Sequence, residues 1–336
     1  MPPVPPLKLV IDTDGGVDDA VAIWWAATSP AVEIVAITTV HGNVDVDTAT
    51  DNACRVLHAC GAAGVAVARG HGAALGPVPD LRPADFIHGT DGLGNTFRPR
   101  APFGAVSDHA VDVLRRIVDE RPGEVVIASI GPLTNIAAVI QADPTWATRV
   151  RRLVAMAGAA LTQGNALPAA EANIAHDPTA ADIVVRAPWA TPPLLVGLDV
   201  THQATFTAAE IDLVVQRNNA AGEFLDQPLA VYRQFGGTFC TPGEFPCHDA
   251  LAVMAAVHPE MVTGPVLPMA VQVGPGPAQG ATVVDRRVTF FAAAAARSSA
   301  GSESAEQALP DGFAPWQIGL EVDVESFRAN LRAMFS

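Results

Sequence analysis

Lysine is almost missing from this chain. Lys8 is the only one in 336 residues, so nearly all of the 20 positive charges are arginines, set against 35 carboxylates for a formal charge of −15. A chain with that balance lacks the basic footprint that a nucleic-acid backbone or an anionic membrane surface requires, and points instead to a small polar ligand or a cation. Cysteine is scarce as well: four residues, Cys54, Cys60, Cys240 and Cys247, make no disulfide framework and lack paired zinc-knuckle spacing, so free thiols are expected. Tyr232 is the single tyrosine, which leaves little phenolic chemistry. No uninterrupted apolar run reaches the roughly 20 residues of a spanning helix. The start, "MPPVPPLKLV", carries prolines where a secretory signal has its apolar segment. The expectation is a soluble, cytoplasmic protein.

What is abundant is core material, 49% hydrophobic residues, arranged as alternating β-branched runs and helical segments. "LKLVID" precedes "DDAVAIWWAATS", "VEIVAITTV" precedes "DVDTATDNACRVLHAC", and "EVVIASI" precedes "PLTNIAAVIQA". Near-continuous apolar strands joined by crossover helices predict an α/β fold with a doubly wound, mostly parallel open sheet, whose ligands bind beyond the carboxyl ends of the strands. No linker divides the chain, so one domain over 1–336 is expected. Residues 70–104 read as a long loop, about 201–248 as a helical cap without new strands, and about 291–312 as a loop insertion. The closing "WQIGLEVDVESFRANLRAMF" reads as a strand followed by a helix.

The first strand ends in "VIDTDGGVDDA", with Asp12, Asp14, Asp18 and Asp19 in eight positions. One aspartate at a helix start is accounted for by N-capping, worth about 1 kcal/mol. Three more are not, because crowded carboxylates repel unless a cation sits among them, and hard oxygen ligands suit Ca²⁺ or Mg²⁺. A DxDG turn after an N-terminal strand also occurs in the haloacid dehalogenase-like phosphatases. Those need a lysine from a later strand, and the only lysine here lies upstream.

The remaining motifs decide between the two classes. "TTVHGN" (38–43), "HGTDGLG" (88–94), "GPLTNIA" (131–137), "GNALPAAEANIAHDPTAA" (164–181), "HDALA" (248–252) and "GATVVD" (280–285) follow the opening motif in order. With these seven, the sequence resembles the inosine-uridine preferring nucleoside hydrolase family, whose opening pattern is DxDPGxDDA. The resemblance implies a Rossmann-like sheet, hydrolysis of the N-glycosidic bond of ribonucleosides to ribose and free base, a tightly held Ca²⁺, and a homo-oligomer, dimer or tetramer. Carried over residue by residue, it implies Asp14, Asp19, Asp249 and the carbonyl of Ile130 as metal ligands, with Asp14 also taking a proton from the attacking water. It implies Asp18, Asn43, Asn165, Glu171, Asn173 and Asp249 on the ribose hydroxyls, Met156 against the sugar, and Asp12 as a support for the loop. His248 fits a general acid for the departing base, and His88 a contact to the base or the ribose 5′ end.

Each residue also has a plainer reading: Asn43 and Asn165 as turn residues in the left-handed region, Met156 as core, Asp249 as a helix N-cap. Phe224, Tyr232, Phe235, Phe239 and Phe245 of the cap are stacking candidates whose helical spacing also suits core packing. Four positions depart from the family pattern: Gly15 for proline, Ala172 for a common phenylalanine, Ala157 for glycine and Ala250 for proline. None is an expected metal or ribose ligand, so the departures bear on substrate more than on reaction class. A ribose- or nucleoside-binding protein of weak turnover, or a hydrolase of a modified ribosyl substrate, are the alternatives.

Overall fold

The β-branched runs form strands and the amphipathic segments between them form helices. The computed structural model describes residues 5–216, 219–235, 244–287, 309 and 311–334. Its strands are β1 (Leu7–Thr13), β2 (Val32–Thr39), β3 (Val67–Arg69), β4 (Val126–Ser129), β5 (Arg152–Met156), β6 (Leu194–Val196), β7 (Thr205–Thr207), β8 (Glu244–Pro246), β9 (Val262–Thr263), β10 (Val266–Val271), β11 (Thr282–Val284), β12 (Ala314–Ile318) and β13 (Glu321–Val322). Its helices are α1 (Val17–Thr28), α2 (Val46–Ala59), α3 (Asp85–His88), α4 (Ala110–Glu120), α5 (Thr134–Ala142), α6 (Ala172–His176), α7 (Pro178–Val185), α8 (Leu198–Thr201), α9 (Ala208–Gln216), α10 (Ala220–Tyr232), α11 (His248–Val257) and α12 (Val324–Met334).

Nine strands form one sheet in the order β11-β10-β12-β6-β5-β4-β1-β2-β3. From β3 through β12 every pairing is parallel, and β10 alone runs against its neighbours β12 and β11. The doubly wound, mostly parallel sheet is therefore as expected, with an antiparallel edge added. Alternation along each strand divides the core in two. Leu9, Ile11, Ile37, Val126, Val154 and Val196 face α1, α2, α10, α11 and α12. Val10, Ala36, Ile127, Leu153, Ala155 and Leu195 face α4, α5 and α7. Burial on both faces explains why these strands read as continuous apolar runs.

The cap differs from expectation. Helices α9 and α10 are present, but β7 and β8 pair antiparallel at its base, Thr205 opposite Pro246 and Thr207 opposite Glu244. Strands of three residues are too short to show a period of two in sequence. The short helix α3 interrupts the 70–104 loop, and the final strand and helix are β12 and α12. The expected insertion at 291–312 falls almost wholly outside the described residues. No described helix is long and apolar enough to cross a membrane.

Candidate active site

The carboxyl ends of β1, β2, β4 and β5 converge on the loop that follows β1. That loop is shaped by Asp19, in the first turn of α1. Its Oδ2 accepts from the Gly16 N–H (2.8 Å), its Oδ1 from the Asp14 N–H (3.2 Å), and the Thr13 hydroxyl also donates to it. The helix is capped by Gly16 rather than by an aspartate, and Asp19 reaches back to it. Between them, Gly15 lies at φ +78°, in the left-handed region, and a Cβ there would stand 2.6 Å from the Ala49 Cα on α2. Glycine is thus required by both conformation and space.

Asp12, Asp14, Asp18, Asp19 and Asp249 are all buried. Asp12 ties the sheet together: its Oδ1 accepts from the Thr38 hydroxyl (2.6 Å) and from Asn135 Nδ2 (2.8 Å), and burial pushes its carboxyl up to about 7. Asp14 is held by Asn43, whose backbone N–H donates to Oδ2 (2.8 Å) and whose Nδ2 donates to Oδ1 (3.0 Å). Gly42 makes this possible, because a Cβ on it would lie 2.0 Å from Asp14 Oδ2. Asp18 accepts from the Tyr232 hydroxyl at 3.3 Å through Oδ2, while its Oδ1 is buried without a hydrogen-bond partner. Asp249 lies in the first turn of α11 and is not its N-cap, which is Cys247.

Burial, and then the charge of neighbouring aspartates, raises the Asp14 and Asp249 carboxyls well above the usual carboxylate range and Asp18 to about 7. Carboxyls in that condition either hold protons or gather around a cation. Oxygen atoms of Asp18, Asp19 and Asp249 lie within 4.8 Å of one another. With the orphaned Asp18 Oδ1, this all-oxygen donor set fits a hard divalent cation. Of the expected ligands, Asp19 and Asp249 are in that group, Asp14 adjoins it with both oxygens on Asn43, and Asp18 joins it unexpectedly. The Ile130 carbonyl accepts from Asn173 Nδ2 at 3.4 Å.

The wall beside this cluster comes from the "GNALPAAEANIAH" segment. Asn165 Oδ1 accepts from the Ala172 N–H (2.9 Å), and Glu171 caps α6, accepting from the N–H groups of Asn173 (2.8 Å) and Ile174 (3.2 Å) and from Gly158 (2.9 Å). Asn173 Nδ2 donates to the Met156 carbonyl (3.0 Å) and contacts its sulfur (3.4 Å). Neither Asn43 nor Asn165 has a positive φ, so the turn-residue reading fails for both. Opposite, His88 Nδ1 accepts from the Val17 N–H (3.2 Å), and burial lowers the ring to about 4, leaving it neutral. His248 Nδ1 lies 2.7 Å from the Thr201 hydroxyl, and burial first, then His202 and His88, lowers that ring to about 3.

These groups enclose a cavity of about 420 Å³. All the expected ribose and base residues line it: Asp18, Asn43, His88, Asn165, Glu171, Asn173 and Asp249, with Met156, Ile130 and His248. Tyr232 and Phe245 line it as well, whereas Phe224 packs on Trp24 (5.6 Å) and beneath Arg98 (4.4 Å). Phe239 lies outside the described residues, as does the Phe235 side chain. Arg82, Phe86, His176 and His202 line the cavity without having been anticipated; of these only His176 lies within a matched motif, the segment 164–181. Ala172 is among the lining residues. The described cysteines 54, 60 and 247 are free thiols.

Comparison with known proteins agrees with this geometry. Residues 9–329 match the family described as inosine-uridine preferring nucleoside hydrolase. The chain is 40% identical over 266 residues to probable uridine nucleosidase 1 of Oryza sativa subsp. japonica, covering 76% of this chain and 78% of that protein. Among solved structures it resembles a plant nucleoside hydrolase (TM-score 0.86, 33% identity, 98% and 99% of the two chains). It also resembles a purine-preferring ribonucleoside hydrolase from Gardnerella vaginalis (TM-score 0.84, 32% identity, 98% of each).

Proposed function

The chain belongs to the inosine-uridine preferring nucleoside hydrolase family, and from that premise we propose that it hydrolyses ribonucleosides to ribose and free base in a Ca²⁺-dependent reaction with Asp14 as the base. The observation that carries this reading is the buried Asp18, Asp19 and Asp249 group, of which Asp18 and Asp249 line the cavity, with Asp14 fixed beside it by two hydrogen bonds from Asn43.

Asp19 and Asp249 would hold the cation, with Asp14, the Ile130 carbonyl and the unpartnered oxygen of Asp18 adjoining. When bound, such an ion neutralises the crowded carboxylates and lowers the pKa of a nearby water. Asp14 would accept the proton of the attacking water as its hydroxyl part bonds to C1′, and the C1′–N electron pair leaves on the base. The two Asn43 contacts keep the Asp14 oxygens oriented for that role. Asp18, Asp249 and Glu171 offer acceptors to ribose hydroxyls and negative charge to a sugar with oxocarbenium character. Asn173 is pinned through Nδ2 to the Met156 carbonyl, which leaves its own carbonyl oxygen for a hydroxyl donor.

His248 acts as a neutral donor. In the tautomer whose Nδ1 accepts from the Thr201 hydroxyl, the ring proton sits on Nε2 and would hydrogen-bond the departing base, which solvent then protonates. In this form the general-acid role expected of His248 is filled by hydrogen bonding from a neutral ring, whose protonation burial disfavours.

The test is to incubate the protein with inosine, adenosine, guanosine, uridine and cytidine, with and without chelator, and to assay free ribose. Ribose release that chelator abolishes and Ca²⁺ restores is expected. Ca²⁺ binding without release from any nucleoside would favour a binding protein instead.

A further inference from the structure

The cavity has a charge gradient that the hydrolytic reading does not use. Its floor is acidic, with Asp18, Glu171 and Asp249 all buried, and its rim carries Arg82, the only arginine or lysine among the described lining residues. Arg82 is exposed and has no hydrogen-bond or ion-pair partner among the described residues. In a chain with 35 carboxylates to 20 cations that is unusual, and nearby Arg55, Arg69 and Arg100 are all paired with aspartates.

The segment bearing Arg82 is fastened at both ends. The Leu75 N–H donates to Asp177 Oδ2 (2.8 Å) and Gln279 Nε2 donates to the Pro77 carbonyl (3.2 Å) before it, and His88 receives the Val17 N–H after it. Arg82 is thereby held at the mouth, with Leu81, Phe86 and Ile87 of the same segment forming an apolar wall beside it. A nucleoside whose ribose meets the acidic floor leaves its base toward this rim.

We propose that Arg82 reads the base: its guanidinium hydrogen-bonds the exocyclic oxygen at C6 of a purine or C4 of a pyrimidine, so that bases with an oxygen there are cleaved in preference to their amino counterparts. The inference rests on the nucleoside hydrolase reading above. A guanidinium only donates, so the carbonyl of hypoxanthine or uracil is matched, whereas the amino group of adenine or cytosine sets donor against donor. Negative charge spreads onto the base oxygen as the C1′–N bond breaks, so the contact strengthens toward the transition state and acts on kcat/KM.

The experiment compares kcat/KM for inosine against adenosine and for uridine against cytidine. Wild type should favour the oxo member of each pair. Arg82→Ala should lower the oxo members by about tenfold or more, the effect of one charge-assisted hydrogen bond, and leave the amino members within about twofold. Arg82→Glu, which supplies acceptors, should move both ratios further toward the amino members. An equal loss on all four substrates, or unchanged ratios, overturns the inference while leaving the hydrolase reading intact. So does wild-type preference for inosine 5′-monophosphate over inosine that Arg82→Ala removes, because the rim cation then binds a phosphate. No ribose release by wild type from any of the four overturns the hydrolase reading itself.

Discussion

Restoring the family's proline at position 15 should damage this protein, and the structure gives the size of the effect. Gly15 has φ +78°, and a Cβ there meets the Ala49 Cα at 2.6 Å, a backbone atom on a helix that cannot swing aside. For Gly15→Ala, the left-handed conformation costs about 1–2 kcal/mol and the overlap about 1–3 kcal/mol. For a chain of 336 residues a destabilisation of roughly 2–5 kcal/mol corresponds to a fall in Tm of about 3–7 °C. Proline is worse: its ring fixes φ near −65°, so the backbone must rotate by about 140° from the observed φ. That rotation displaces Asp14 on one side and breaks the 2.9 Å bond from Asn52 Nδ2 to the Gly15 carbonyl on the other. Since misplacement by about 1 Å can cost a hundredfold in rate, kcat should fall at least tenfold for Gly15→Pro. Thermal unfolding and ribose-release assays on both variants check this. A Gly15→Pro protein with wild-type Tm and turnover would refute the argument, because the loop could then not depend on a left-handed residue.

Two further outcomes follow from the site. Asp14→Ala should reduce kcat by about a hundredfold to ten-thousandfold, the span of a general base, with a smaller effect on ribose affinity; initial rates and product-inhibition constants separate the two, and wild-type turnover would remove Asp14 from the chemistry. His248→Ala should slow inosine cleavage more than cleavage of a riboside with an activated leaving group, and equal losses on both would count against leaving-group assistance.

The sheet was legible because strands buried on both faces appear as unbroken apolar runs between helical periods. Its antiparallel edge was not, since β10 and β11 have no intervening helix to mark a crossover. In the site, Asp14, Asn43, Asn173 and Asp249 could be picked out because they stand in motifs. Tyr232 was harder: its helical spacing suggested core, and it is indeed buried, yet its hydroxyl donates to Asp18. The expected capping role of Asp249 gave way because α11 begins one residue earlier, leaving the carboxylate within the first turn. Arg82 and His202 reach the cavity only through tertiary packing, and nothing in their local sequence distinguishes them from loop or helix-end residues, whereas His176 stands within the 164–181 motif that already pointed to Glu171 and Asn173.

The carboxylate cluster also joins distant parts of the polypeptide. Asp14, Asp18 and Asp19 belong to the first βα unit, Asp249 to a helix formed roughly 230 residues later, and α1 packs directly against α11. Without a cation the crowded carboxylates must hold protons or repel one another across the two helices; filled by the proposed cation, the cluster would become a clasp that only the folded chain can close. Ligand bound to the folded state alone adds stability in proportion to the logarithm of its concentration over Kd. On the proposed reading, the catalytic centre would thus be a fastening between the start of the chain and its last third, and ion availability would set how firmly that fastening holds.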